Sequence, residues 1–208
     1  MNTHDLARAL AADGGRPRSL RGGLVRAWLA GLVGAAALFA LLLAPRPDLA
    51  SAVAKPAFWL KLLIVGATAA TAATALASVA RPLPQRSLLS LLVAPLLLAL
   101  GLLLQFASIP AFAGGADPVF RGLMCTCFIP LLSAPVAVCL LIAMRRGAPA
   151  HPGLAGAVAG LAAGGLGATL YAFACPADSP AFIATWYSLA IGIVTIACYA
   201  IGRRALRW

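Results

Sequence analysis

Long apolar runs, interrupted at intervals by arginine, lysine or aspartate, set the pattern of this chain. Between Arg26 and Arg46 lie 19 residues without a charge, and between Lys61 and Arg81 another 19. The later windows hold 30 residues after Arg86, 23 after Arg121, 31 after Arg146 and 24 after Asp178. A helix rising about 1.5 Å per residue needs roughly 20 apolar residues to cross a hydrocarbon core. Each window therefore accommodates one crossing, and none is long enough for two with a turn. The pattern predicts six transmembrane helices, near 27–44, 62–80, 88–109, 123–144, 153–174 and 181–201. The expected fold class is all-α: a polytopic membrane bundle over 24–208, preceded by a polar cytoplasmic segment over 1–23.

Proline and glycine punctuate the windows. Pro45 and Pro47 follow the first helix, Pro82 and Pro84 the second, and Pro110 with Gly114 and Gly115 the third. Gly147 and Pro149 follow the fourth, and Pro176 and Pro180 the fifth. Proline lacks a backbone donor and clashes with the preceding turn, so such clusters belong in loops. Pro95, Pro130 and Pro135 fall inside windows and are expected to kink the third and fourth helices.

Basic residues orient the bundle. Arg8, Arg16, Arg18, Arg21, Arg26, Arg81, Arg86, Arg145, Arg146, Arg203, Arg204 and Arg207 share one set of loops, whereas Arg46, Lys55, Lys61 and Arg121 occupy the other. The richer side is retained in the cytoplasm, which places both termini inside. Trp59, Phe173, Phe182, Trp186 and Tyr187 then sit near the outer interface. The first window is long for a signal peptide and reads as a retained anchor.

Composition supports the same class. The chain is 62% hydrophobic and 10% charged, with a mean hydropathy of +0.97. Soluble domains average about 25% charged residues, so a water-soluble globule is excluded, as is disorder. The net charge of +11 is accounted for by topology. A nucleic-acid surface fits less well, because the arginines are spread over four elements and do not share one face.

Ionisable residues inside a span usually mark ion pathways or proton relays. Here Lys61 lies at the outer end of the second span, where it is expected to snorkel, and Gln105 is the one carboxamide in any span. Thr68, Thr71 and Thr74 are positioned to bond back to their own helix carbonyls. Paired carboxylates and a Ser-His-Asp set are missing, and His4 and His151 read as isolated loop histidines. The chain is therefore not expected to be an enzyme, and no cofactor is implied. Gly156, Gly160 and Gly164 form two small-xxx-small steps on the fifth helix, suited to close packing within the chain or to a homodimer.

The cysteines number five. Cys125 and Cys127 fall at the outer end of the fourth helix, and Cys175 at the outer end of the fifth. Cys139 is 14 residues beyond Cys125, about 21 Å along a helix, and Cys198 lies near the inner end of the sixth. Two thiols on adjacent helix ends bridge when their Cα atoms come within about 7 Å. Cys125, Cys127 and Cys175 together are also possible soft-metal ligands, and each is equally compatible with a small apolar packing role. At the N-terminus, Thr3 and Asp5 suit the start of a short helix whose Leu6, Arg8 and Leu10 could dock a partner protein or lie on the membrane.

Two stretches resemble a known family. The first is Cys125, Ile129-Pro130-Leu131-Leu132-Ser133, Pro135 and Arg145-Arg146-Gly147-Ala148-Pro149. The second runs from Gly156 to Tyr171, then Cys175-Pro176-Ala177-Asp178-Ser179-Pro180-Ala181-Phe182, Trp186-Tyr187 and Leu206-Arg207-Trp208. Together they resemble the NrsF-type membrane anti-sigma factors, six-helix proteins of the bacterial inner membrane. The resemblance implies sequestration of an extracytoplasmic-function (ECF) sigma factor and its release under heavy-metal or oxidative stress. It also implies that Cys125 and Cys175 are the two sensor cysteines, with Cys127, Cys139 and Cys198 outside the pattern. The family often has histidine before its second cysteine, where this chain has Ala174. A small membrane transporter, or a thiol-redox membrane protein, is the rival class. A Cys-x-x-Cys pair is absent, and mid-span polar groups are few.

Overall fold

The computed structural model describes residues 20–79, 90–106, 118–147 and 149–206, with His4 and Arg8 besides. Among these residues every regular element is helical: α1 (Leu20–Leu42), the short α2 (Leu49–Val53), α3 (Pro56–Val79), α4 (Val93–Phe106), α5 (Pro118–Met144), α6 (Pro152–Ala172) and α7 (Pro180–Ala205). Five of them, α1, α3, α5, α6 and α7, are long and apolar enough to cross a membrane.

The helices extend past the uncharged windows, because the windows mark where charge stops and helix propensity does not. Arg21 and Arg26 lie within α1, where the Arg26 side chain bonds back to the Gly22 carbonyl at 3.2 Å. Arginine is a good helix former, so nothing ends the helix at the charge. Likewise α3 begins at Pro56 instead of 62, with proline in the first helical position. This puts Lys61 inside the helix. The helix α4, expected over 88–109, spans 14 residues, fewer than a crossing requires. Residues 80–89 and 107–117 on either side of it lie outside the described residues.

Proline acts differently at its three positions. Pro95 falls in the first turn of α4, where the missing donor has no intrahelical acceptor. Pro130 and Pro135 both lie in the interior of α5. There α1 approaches closely: a Cβ at Gly31 would come within 2.6 Å of the Val136 backbone, and one at Gly34 within 3.1 Å of the Pro135 ring. Thr68, Thr71 and Thr74 bond back to the carbonyls of Ile64, Ala67 and Thr71 at 2.6–2.8 Å.

The centre of the bundle is α6, packed by α7, α3 and α5. Its glycines explain how three neighbours fit. A Cβ at Gly160 would meet the Thr195 backbone at 2.8 Å, one at Gly164 would meet Ile191, and one at Gly165 would reach the Ala69 backbone at 2.6 Å. The small-residue face is thus spent on α7 and α3 of the same chain. The outer faces are apolar instead of polar: Val33 and Ile196 are each 70% exposed, and Leu41 is 80% exposed. Isolated exposed apolar residues are ordinary, but a shell of them inverts the arrangement of a water-soluble bundle.

Candidate functional site

Antiparallel packing brings the last turn of α1, the first turns of α3, α5 and α7, and the end of α6 to one end of the bundle. The chemistry gathers there. Cys125, in the second turn of α5, is fully buried, and Cys175, in the loop after α6, is 3% exposed. Their Sγ atoms lie 4.0 Å apart as free thiols. The tightened end of α6 aims the second sulfur: Ala174 and Cys175 both donate their backbone N–H to the Tyr171 carbonyl, at 3.0 Å.

Cys127 is exposed, Cys139 is half-buried, and Cys198 is buried against α6. None of them joins the pair. Residues two apart on a helix point to nearly opposite faces, so Cys127 turns away when Cys125 turns in. Among the described residues no group of three or more histidine, cysteine, aspartate or glutamate side chains is assembled as a metal cage. The three-thiol site considered from the sequence is therefore reduced to two thiols. At the N-terminus Arg8 is exposed, while Leu6 and Leu10 lie outside the described residues.

Beside the thiols is an ionic cluster that the charge windows do not reveal. Lys61 does not snorkel: it is fully buried, and Nζ donates to three acceptors. These are the carbonyl of Cys175 at 2.8 Å, the carbonyl of Ala177 at 3.2 Å and Oδ1 of Asp178 at 2.7 Å. Arg46, which follows α1, donates through Nη1 to both carboxylate oxygens of Asp178 at 2.9–3.0 Å and to the Cys175 carbonyl at 3.4 Å. Its Nε and Nη2 grip Asp48 at 2.7 Å each. Two cations and two carboxylates thus form a neutral set, which a buried location requires. Its main-chain counterpart is the Arg46 N–H, which donates to the Phe173 carbonyl at 2.9 Å.

Aromatic rings wall this cluster. Lys61 Nζ stands 5.9 Å from the ring centroids of both Phe58 and Tyr187, within cation–π range. Tyr187 packs against Tyr171 and Phe182 at centroid distances of 6.2 and 6.3 Å. Tyr187 belongs to a π-helical turn, Ile183–Tyr187, early in α7; such turns occur frequently at functional sites. Its hydroxyl is buried beside the Cys175 sulfur. The same turn carries Trp186, whose ring occupies the space that a Cβ on Gly122 would need, so α5 docks on it one turn before Cys125.

Electrostatics distinguish members of the cluster. A hydrogen bond from the Cys125 thiol, assisted by the Lys61 ammonium and the Ala177 N–H, holds the Cys175 thiol below the ordinary thiol range against the opposing effect of burial. The Arg46 hydrogen bond lowers the exposed Asp48 carboxyl to about 2. Arg46 itself is raised, by Asp48 first and then by Asp178.

Comparison with known proteins gives a consistent result. Residues 9–208 match the family model described as negative regulator of sigma F. The chain is 35% identical over 220 residues to the anti-sigma-F factor NrsF of Caulobacter vibrioides (strain NA1000 / CB15N), with both chains covered in full. It is 33% identical over 215 residues to the probable anti-sigma-F factor NrsF of Azospira oryzae (strain ATCC BAA-33 / DSM 13638 / PS), again with full coverage of both. No solved structure matches. The chain belongs to the NrsF family of negative regulators of sigma F.

Proposed function

We propose that this protein is a membrane anti-sigma factor: it holds an ECF-type sigma factor at the bacterial inner membrane and releases it when Cys125 and Cys175 meet an oxidant or a soft metal ion. A regulatory role follows from the family. In this reading six helices span the bilayer, α4 included, with both termini in the cytoplasm and the thiol end facing outward. The partner surface on the cytoplasmic side comprises the N-terminal segment with Leu6, Arg8 and Leu10. The observation that carries the thiol switch is the 4.0 Å approach of two buried sulfurs, one on α5 and one in the loop after α6.

Disulfides persist outside the bacterial cytoplasmic membrane, so oxidation there is retained long enough to act as a signal. Joining the sulfurs draws the start of α5 and the α6–α7 loop together. The helix α5 also carries Pro130 and Pro135, which leave carbonyls of the preceding turns without their usual donors. It is the element we assign to rearrange. A signal that reaches the far face requires such a two-state element.

The test is co-purification of the detergent-solubilised chain with the sigma factor encoded beside its gene, with and without oxidant or cadmium. Capture at rest, release in the wild type and retention by the Cys125→Ser/Cys175→Ser protein are expected. Capture that no thiol treatment alters would remove the switch and keep the anti-sigma role. Absence of capture under every condition would remove both. Reporter fusions at each terminus test the orientation independently.

A further inference from the structure

The loop between α6 and α7 is not held by regular secondary structure. Residues 175–179 adopt no regular structure, and Pro176 has no N–H to donate. Cys175 must nonetheless present its sulfur to Cys125 on another helix, 50 residues away in sequence. Within this loop, all three donors of the Lys61 ammonium are engaged: two on main-chain carbonyls, one of them belonging to Cys175 itself, and one on Asp178. Lysine supplies three donors and no acceptor, so its capacity is fully used on this one segment. A lysine with no exposed surface is costly to keep at a helix end, where the interface is within reach of its side chain. A structural filler would be apolar.

We propose that Lys61 is the positioning residue of the thiol pair: by clamping the carbonyls of Cys175 and Ala177 and the carboxylate of Asp178, it fixes the loop so that the Cys175 sulfur rests on Cys125. This rests on the thiol-switch reading above. In the free thiol form the sulfurs lie 4.0 Å apart, and a disulfide requires about 2.05 Å. Closure therefore needs an approach of only about 2 Å, and the clamp keeps the loop within that reach. Asp178, shared between Lys61 and Arg46, extends the same hold to the segment after α1.

The reaction that reports the clamp is exchange with a small disulfide such as oxidised glutathione. The Cys175 thiolate attacks one glutathione sulfur, breaks the glutathione disulfide and expels one glutathione thiolate, giving a mixed disulfide. The Cys125 thiolate then attacks the Cys175 sulfur, closes the protein disulfide and expels the second glutathione. The two protein thiols lose two electrons and two protons, and the glutathione pair takes them up.

The experiment equilibrates the full-length, detergent-solubilised chain in glutathione buffers at fixed pH. The fraction of Cys125–Cys175 disulfide is read by mass spectrometry, for the wild type, Lys61→Met and Lys61→Arg. Lys61→Met is expected to lower the closure constant about tenfold, which makes the two-electron potential roughly 30 mV less negative. Lys61→Arg, which keeps a multidentate cation, is expected within about twofold of the wild type. A Lys61→Met potential equal to that of the wild type overturns the proposal, as does failure of Lys61→Arg to recover the shift that Lys61→Met produces. If Lys61→Met does not fold in its reduced form, Asp178→Asn is measured in its place: a potential shifted in the same direction supports the clamp, and an unshifted one overturns it. A wild type whose pair stays reduced in every buffer overturns the thiol-switch reading itself, and the clamp with it.

Discussion

Replacing Asp178 by alanine removes a carboxylate on which two buried cations depend. Lys61 keeps its two carbonyl acceptors but loses its only counter-charge within 4 Å among the described residues, and Arg46 is left with Asp48 and the Cys175 carbonyl. The lysine side chain is 0% exposed and that of Asp178 only 11%, so water replaces little of what is lost. Breaking a buried pair by removing one partner costs about 3–5 kcal/mol, two to three and a half orders of magnitude in the unfolding equilibrium at about 1.4 kcal/mol per tenfold. Against a total stability of about 5–15 kcal/mol this is a large share. Lys61→Met alone should cost less, because Asp178 and the Cys175 carbonyl keep Arg46 as donor and the Ala177 carbonyl is the one left without its ammonium. The double variant removes the unpaired charge together with its partner, so its loss should fall short of the sum by about 1.5 kcal/mol or more. The assay is reversible unfolding of the reduced protein in mixed micelles, followed by helical circular dichroism, for all four members of the cycle. Additivity within about 0.5 kcal/mol would refute the claim that these residues act as one unit.

Other predictions concern the thiols and the glycines. Because Cys175 is held below the ordinary thiol range mainly by the Cys125 hydrogen bond, its reaction rate with a small thiosulfonate should rise with pH below about 8.5. Cys125→Ala should move that rise upward, and an unmoved profile would count against the assigned cause. By linkage, the reduced protein should gain stability as pH climbs from the lowered value to the ordinary one, because only the unfolded chain then holds that proton. Gly160→Ala and Gly165→Ala, whose new Cβ atoms would meet backbone at 2.8 and 2.6 Å, should destabilise by about 1–3 kcal/mol. Gly66→Ala and Gly192→Ala meet nothing within 4 Å and should be neutral or stabilising by up to about 1 kcal/mol; thermal unfolding of the four variants separates the two groups. Substituting Pro130 and Pro135 together by alanine should blunt stress-induced release of sigma in a reporter strain, and normal induction would dismiss α5 as the moving element.

The bundle was legible because burial in hydrocarbon forbids charge over about 20 residues, and the charged residues therefore mark where each apolar span stops. They do not mark helix ends: α1 runs back through Arg26 to Leu20, and α3 takes in Lys61. The pairing of Cys125 with Cys175 was suggested by family resemblance, whereas spacing alone left Cys127 an equal competitor. Helical geometry decides between them by turning one inward and the other out. The ionic cluster was missed because its members are 117 and 132 residues apart in sequence, and windows treat each charge separately. One signal was present: Asp178 is the only acidic residue after Asp117, three residues beyond Cys175 and at the end of the bundle shared by Arg46 and Lys61. A solitary carboxylate among basic residues in an apolar chain invites the question of which cation it serves.

The separation between Lys61 and Asp178 also sets an order in time. At about 5–20 residues per second, synthesis of the 117 residues between them takes roughly 6–23 s. Through that interval α1 and α3 exist while the carboxylate that neutralises Lys61 does not. For a chain entering a bilayer, Lys61 must wait at the water boundary with its ammonium hydrated, since an unpaired charge is costly deeper in. The first half of the bundle is therefore assembled provisionally, and the emergence of Asp178 locks it shut. A chain that stops short of that residue leaves Lys61 without its counter-charge, while Arg46 still has Asp48, a mark by which quality control can tell an unfinished molecule from a finished one.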